Sequence, residues 1–218
     1  MWRVSKGSHT LWILGTLSPL PRDFVWQSRD VEAVIANSQE VLGVGRANAK
    51  IGLGAMIKMA TLAPAALRTQ HNEDGKPLNS VVEPALFARW TSARDQYAKS
   101  VKGLDKLRPV YASQQLYWSA VDTVGLTRSD VVAPVVRAAA TRAGLTISDT
   151  GFHYDLSIDR KPMKKNIDGV NNFSGGDIAC FAATLDNLEH DLAAMKLRAN
   201  AWAIGDVGAL RGLTKADF

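Results

Sequence analysis

Short apolar runs, bounded by glycine and proline, indicate where the first strands of the chain lie. Leu11–Leu14 is such a run, and it ends at Gly15 and a proline-bracketed loop that extends to Pro21. An apolar run of this length predicts a buried central strand followed by a turn. Trp2–Val4 precedes it across the polar residues Ser5–His9, so the two segments predict a hairpin with a glycine-containing loop.

A helix and a second strand are predicted after this hairpin. Ser28 can cap a helix that runs to about Asn37, and Glu40–Val44 is again a short apolar run. A strand, a helix and a strand within about 35 residues predict a βαβ unit with two parallel strands. Their ends should meet near Gly15–Ser18, where open α/β sheets bind ligands. The candidate ligand-binding residues are Gly15, Thr16, Ser18, Gly43 and Val44.

Helical spacing dominates the rest of the chain. It predicts helices over about Gly54–Leu62, Pro84–Lys99, Ala112–Val124 and Ser129–Gly144. The first of these is expected to pack in a core, although its methionines and lysines would also suit a surface that faces lipid or a partner. Leu145–Ser148 and Gly151–Asp159 are predicted strands. The predicted fold class is α+β and mostly helical, with a small mixed sheet and a single domain over residues 1–218.

The strongest periodic signal lies in Ser174–Ala203. Apolar residues there are spaced alternately three and four apart, which predicts one long helix with a heptad-like stripe. Such a stripe either packs inside its own domain or forms a seam between two copies. The second alternative predicts a homodimer through Ile178, Phe181, Leu185, Leu188, Leu192 and Met195.

Charge and composition narrow the range of functions. The net charge of +5 comes from scattered basic residues, and only Arg160–Lys165, a predicted solvated loop, forms a cluster. No nucleic-acid partner is therefore predicted. The single cysteine, Cys180, excludes an intrachain disulfide and is predicted to be buried. No apolar run approaches the roughly 20 residues that span a bilayer, so no transmembrane segment is predicted.

Common catalytic and nucleotide-binding motifs are missing from the sequence. It contains no HExxH, no CxxC, no Walker loop and no nucleophile elbow. Gly43–Arg46 has a GxG, but no GKS or GKT follows it. The four histidines are scattered, so spacing alone predicts no metal site.

Three stretches together resemble a known family. Trp2–Pro21 has its opening strand pair and most of a Gly-x-x-His turn, and Val31–Val44 has the helix and strand that follow. Ala199–Leu213 has a W-x-x-GD-x-x-x-L segment. These features resemble the TraB/GumN family, which is similar to the Tiki proteins and more distantly to erythromycin esterases.

The resemblance implies a metal-dependent hydrolase site, and the chain departs from that site. Gly15 matches the first glycine, but Ser18 stands at the histidine position, and a hydroxyl is a poor ligand for a transition metal. The family glutamate should fall near Gly43 or Val44, and neither is acidic. The second Gly-x-x-His is expected beyond Phe218, which suggests a degenerate and truncated member.

Three functions follow as alternatives. The favoured one is a non-catalytic protein that needs no cofactor and binds a small ligand or a protein partner at the pocket beside Gly15 and Ser18 or on the long-helix face. The second is a metal-dependent peptidase or esterase that uses Mn, Co or Zn, and the third is a self-associating structural protein. Because relatives are usually exported, a periplasmic or cell-envelope location is expected if a leader has been removed, and a cytoplasmic one otherwise.

Overall fold

The computed structural model describes residues 1–155, 159–171 and 175–212. Within these ranges the chain is mostly helical with short strands, so the predicted α+β class is confirmed. The helices are α1 (Arg29–Ala36), α2 (Leu53–Arg68), α3 (Pro84–Tyr97), α4 (Pro109–Thr123), α5 (Ala133–Arg142), α6 (Arg160–Asn171), α7 (Gly175–His190), α8 (Leu192–Ala203) and α9 (Val207–Gly212). The strands are β1 (Trp2–Lys6), β2 (His9–Ile13), β3 (Leu20–Pro21), β4 (Val41–Leu42), β5 (Ala47–Lys50), β6 (Leu126–Thr127), β7 (Ile147–Ser148) and β8 (Phe152–Asp155).

The strands associate in pairs. β1 and β2 form the predicted antiparallel hairpin, in which Trp2 lies opposite Ile13 and Lys6 lies opposite His9. β3 pairs with β6 in antiparallel orientation, β4 pairs with β7 in parallel orientation, and β5 pairs with β8. The predicted hairpin is therefore confirmed, and the remaining pairs join segments that are far apart in sequence.

The predicted pairing and burial of the first βαβ unit are wrong. β4 runs parallel to β7, with Val41 opposite Ile147, and not beside β2. Leu11 and Trp12 in β2 are 49% and 41% exposed, so this segment is not a buried central strand. A two-stranded hairpin has no further strands to enclose it, and an apolar run does not reveal which segment will pair with it.

The chain divides into two compact units. The mixed unit contains residues 1–48, 125–153 and the residues from Ala193 onward, and the helical unit contains residues 49–124 and 154–192. In the mixed unit α1 packs against α5, and Val31 and Ile35 of α1 are buried. In the helical unit α4 packs against α7 and α3.

The core of the helical unit contains most of the predicted stripe. Its buried residues include Leu78, Trp90, Leu104, Ala112, Leu116, Phe181, Leu185, Leu188 and Leu192. The single long helix predicted here is wrong, because a turn at Asp191 separates α7 from α8. Phe181, Leu185, Leu188 and Leu192, which the dimer alternative would need at the surface, are at most 5% exposed. These four residues of the stripe therefore pack in the core of the helical unit.

Three further predictions are wrong: that α2 packs in a core, that Arg160–Lys165 is a loop, and that Cys180 is buried. The α2 helix continues past Pro64 to Arg68, and Leu62 is its only buried residue. Arg160–Lys165 begins α6 instead of forming a loop, and Cys180 is exposed. Helical periodicity identifies a helix but does not say which face is covered. No helix in the described ranges combines the length and the apolar composition that crossing a bilayer requires.

Candidate functional site

Most of the candidate residues lie along one open cleft in the mixed unit. The cleft has a volume of about 1010 Å³, and Thr16, Ser18, Gly43 and Val44 all line it. Its walls also include Thr10–Leu14, the α1 residues Val31, Val34 and Ile35, the segment Arg128–Ala133, Val136, Ile147 and Asp149. The structure therefore brings together the two loops that the sequence predicted to be neighbours, although the strands before them do not pair.

Gly15 is held from two sides by tryptophan side chains. The Nε1–H of Trp202 donates to the Gly15 carbonyl oxygen over 3.0 Å, and the Trp202 ring stacks on Trp26 with centroids 5.6 Å apart. A side-chain carbon added to Gly15 would come within 2.6 Å of the Trp2 ring. The absence of a side chain at Gly15 therefore lets the loop approach Trp2, and Trp202 fixes the direction of its carbonyl.

The segment after Trp202 forms a helix cap. Gly205 has a φ of +75°, and the Asp206 Oδ1 accepts a hydrogen bond from the Ala209 amide over 2.9 Å at the start of α9. This arrangement is an N-terminal cap by a short acidic side chain. The tryptophan, glycine and aspartate of the W-x-x-GD segment thus have structural roles, and Trp202 connects the segment to the Gly15 loop.

Gly43 is engaged in the backbone of the sheet. Its amide donates to the Ser148 carbonyl oxygen over 2.9 Å, and its own carbonyl accepts a hydrogen bond from the Thr150 hydroxyl over 2.7 Å. A side-chain carbon at Gly43 would lie 3.2 Å from the Ser148 carbonyl oxygen. Gly43 therefore shapes the cleft wall, whereas the adjacent Val44 offers an apolar side chain that is 74% exposed.

Three carboxylates line the cleft among the described residues, and each is bonded within the mixed unit. The Ser148 hydroxyl donates to Glu40 over 2.6 Å. The Asp130 side chain accepts the amides of Val132 and Ala133 just before α5. The third, Asp149, accepts the Gly151 amide over 2.7 Å and pairs with His153 at 2.6 Å.

Asp149 and His153 were not predicted from the sequence to form a pair. Asp149 lies in the loop between β7 and β8, and the side chains of both residues are exposed. The Asp-x-Gly spacing at the start of a strand could have indicated a carboxylate that accepts a backbone amide. The partnership with a histidine four residues away could not be distinguished from chance.

Two hydrogen bonds lower the pKa of Asp149 below its ordinary value. The one from the Gly151 amide has the larger effect, and the one with His153 the smaller. Because the pKa of Asp149 is lower in the folded protein than in the unfolded chain, these bonds stabilise the fold at pH values above the ordinary pKa. Their effect is lost as the pH falls through the pKa of the folded protein.

We expect His153→Ala to raise the pKa of Asp149 only part of the way toward its ordinary value, since the Gly151 amide still donates. Carboxyl NMR titration measures this, with His9→Ala as the control that should leave Asp149 unchanged. An Asp149 carboxyl with an ordinary pKa in the unaltered chain would contradict the geometry.

In the described part of the chain, no three side chains of His, Cys, Asp and Glu converge as a metal-ion site requires. Ser18 is exposed, and no carboxylate stands at Gly43 or Val44. The chain thus lacks the histidine and the glutamate of the family pattern at these positions. The carboxylates that do line the cleft are hydrogen-bonded to neighbouring groups.

Comparison with known families decides the assignment. A family model described as the TraB/PrgY/gumN family matches residues 1–150. The chain belongs to this family. The match to the TraB/PrgY/gumN family includes both cleft loops, Gly15–Ser18 and Gly43–Val44, so the family resemblance predicted from the sequence is confirmed. Neither a curated protein nor a solved structure matches the chain.

Proposed function

We propose that this member of the TraB/PrgY/gumN family is a non-catalytic binding protein whose cleft holds an extended segment of a partner polypeptide. One observation carries the proposal: β2 and β4 both contribute residues to the cleft wall, and each pairs on one side alone within the described residues. A strand with an unpaired edge presents amide and carbonyl groups that accept another strand.

Leu42 in β4 supplies the sharpest point of contact. The Gly43 amide points toward β7, since it donates to Ser148. Successive residues of a strand direct their amides to opposite sides, so the Leu42 amide points away from β7. Leu42 also lines the cleft, and its side chain is 53% exposed. An added strand would therefore find a donor at Leu42.

The size and lining of the cleft are compatible with a peptide segment. Its volume of about 1010 Å³ reaches the upper end of the roughly 300–1,000 Å³ typical of small-molecule pockets. Among its apolar lining residues Val34 is half-buried and Leu42 and Val44 are exposed, and Thr16 and Ser18 add hydroxyl groups. This combination offers apolar contacts with a few directional polar groups, which is what alternating side chains of an extended segment require.

The composition of the site supports binding over hydrolysis. Ser18 replaces the histidine that the family pattern would use as a metal ligand, and a neutral hydroxyl binds such metals poorly. Glu40, Asp130 and Asp149 are each occupied by hydrogen bonds to neighbouring groups. The long-helix face that the sequence offered as a second binding surface is instead largely buried.

Selection from a displayed library of random decapeptides tests the proposal. The affinity of a selected peptide is then measured by fluorescence anisotropy for the unaltered chain, Leu42→Pro and Leu42→Ala. Proline removes the Leu42 amide, while alanine shortens the side chain and keeps the amide. A buried hydrogen bond left unmade costs about 1–3 kcal/mol, so we expect Leu42→Pro to weaken binding at least about tenfold more than Leu42→Ala.

Two outcomes would overturn this function. Equal affinities of Leu42→Pro and Leu42→Ala, with the fold of both verified by circular dichroism, would exclude strand addition at β4. Cleavage of the selected peptide by the purified chain, with Mn²⁺, Co²⁺ or Zn²⁺ added, would instead favour the hydrolase alternative.

A further inference from the structure

The α2 helix exposes its apolar face. Seven residues of this face are spaced three or four apart, so they lie on one side of the helix, and all seven are exposed: Leu53, Met56, Ile57, Ala60, Ala63, Pro64 and Leu67. The side chains of Leu53 and Ile57 are 74% and 59% exposed. We call these seven residues the α2 stripe. At 1.5 Å per residue the α2 stripe is roughly 21 Å long.

The opposite side of α2 is partly covered by the protein. Leu62 is buried, and Ala55 and Ala65 are half-buried, so small side chains supply most of the inward contact. Within the helical unit α2 packs against α6. The larger apolar residues of the helix thus remain in water, and a contiguous exposed apolar surface of this kind indicates an interaction site.

The charge around the α2 stripe is predominantly positive. Residues 41–72 contain no aspartate or glutamate, and their charged residues are Arg46, Lys50, Lys58 and Arg68. The neighbouring α6 has four basic residues against one acidic residue, Asp168. Lys161, Lys164 and Lys165 of α6 are exposed. An apolar face flanked by basic residues is complementary to a layer that has an apolar interior beneath anionic headgroups.

We propose that the helical unit binds the surface of an anionic phospholipid bilayer through α2 and α6. The α2 stripe enters the boundary between headgroups and acyl chains, with the helix axis in the membrane plane, and the α6 lysines contact lipid phosphates. A second copy of the chain is a poorer occupant, since its corresponding face would bring basic residues against basic residues. This surface shares no residue with the lining of the peptide-binding cleft, and the inference does not depend on that cleft.

Co-sedimentation of the full chain with sucrose-loaded vesicles tests the proposal. One set contains phosphatidylcholine alone, and the other contains phosphatidylcholine with phosphatidylglycerol at 70:30. We expect a partition coefficient at least about tenfold higher for the anionic vesicles, because each basic residue near an anionic surface contributes about 1 kcal/mol. Raising the salt concentration should reduce binding by screening.

Matched variants distinguish vesicle binding through the α2 stripe from nonspecific adsorption. Ile57→Glu, with Leu53→Glu as a second variant, places a carboxylate in the exposed stripe and should lower the partition coefficient at least about tenfold. Val25→Glu is the control, because Val25 is 97% exposed and lies outside α2 and α6. Lys161→Gln combined with Lys164→Gln and Lys165→Gln should weaken binding to anionic vesicles alone. Circular dichroism verifies the fold of each variant.

The opposite results would overturn the inference. No sedimentation with either vesicle type, equal partition into both types, or full retention of binding by both glutamate variants would each exclude the bilayer as the occupant. A dimer in analytical ultracentrifugation that Ile57→Glu dissociates, together with no vesicle binding, would assign the α2 stripe to a second copy of the chain.

Discussion

Replacing Asp177 with alanine should cost about 3–5 kcal/mol of unfolding free energy, because it removes a carboxylate that pairs with the buried guanidinium group of Arg108. The Asp177 carboxylate accepts a hydrogen bond from the Arg108 Nε over 2.7 Å, and the two residues are 9% and 7% exposed. Arg108 also donates to the Thr69 carbonyl oxygen, and its own amide donates to Gln70. Asp177 therefore neutralises a charge that secures the beginning of α4. Urea unfolding followed by circular dichroism measures the loss.

An ion pair on the same helix provides the control. Asp186 lies further along α7 and pairs with Arg89 at 2.6 Å, but the side chains are 59% and 36% exposed. Because solvent screens exposed pairs, Asp186→Ala should cost less than about 1 kcal/mol. Similar losses for the two variants would show that burial does not set the importance of the Arg108–Asp177 pair.

Replacing Phe181 with alanine should also cost about 3–5 kcal/mol, because it opens a cavity in the helical unit. Phe181 is fully buried and contacts Trp90, with ring centroids 6.5 Å apart. Ile178 belongs to the same stripe but is 38% exposed, so Ile178→Ala should cost less than about 1 kcal/mol. Chemical unfolding of both variants measures the contrast.

The same pair of variants distinguishes a core from a dimer seam. If the stripe packs inside its own unit, the unfolding midpoints of both variants should be independent of protein concentration. Midpoints that rise with concentration would indicate that folding is coupled to association, as an interface between two copies requires.

Local signals in the sequence predict most of the helices. Pro84 opens α3, and Gly125 and Gly144, with φ values of +81° and +71°, follow the ends of α4 and α5. These features act over a few residues, so they can be identified without knowledge of the rest of the chain. Whether a helix is covered depends on distant segments, and for that reason the exposure of α2 could not be predicted.

The candidate cleft shows the same contrast between local sequence signals and contacts with distant segments. The loops at Gly15–Ser18 and Gly43–Val44 were predicted to be neighbours, and both line the cleft. The predicted reason, a parallel pairing of the strands before them, was wrong because the partner of β4 is β7. Sequence pattern identified two strand ends, whereas the pairing depended on a segment about a hundred residues away that no local rule could select.

The hydrogen bond between Trp202 and Gly15 joins two parts of the chain that are far apart in sequence. The family model matches residues 1–150, yet the indole that orients the Gly15 carbonyl comes from α8. A polypeptide cut after residue 150 would retain both rims of the cleft and lose this donor. The stretch that the family model matches therefore does not contain every residue that orients the loops of the cleft.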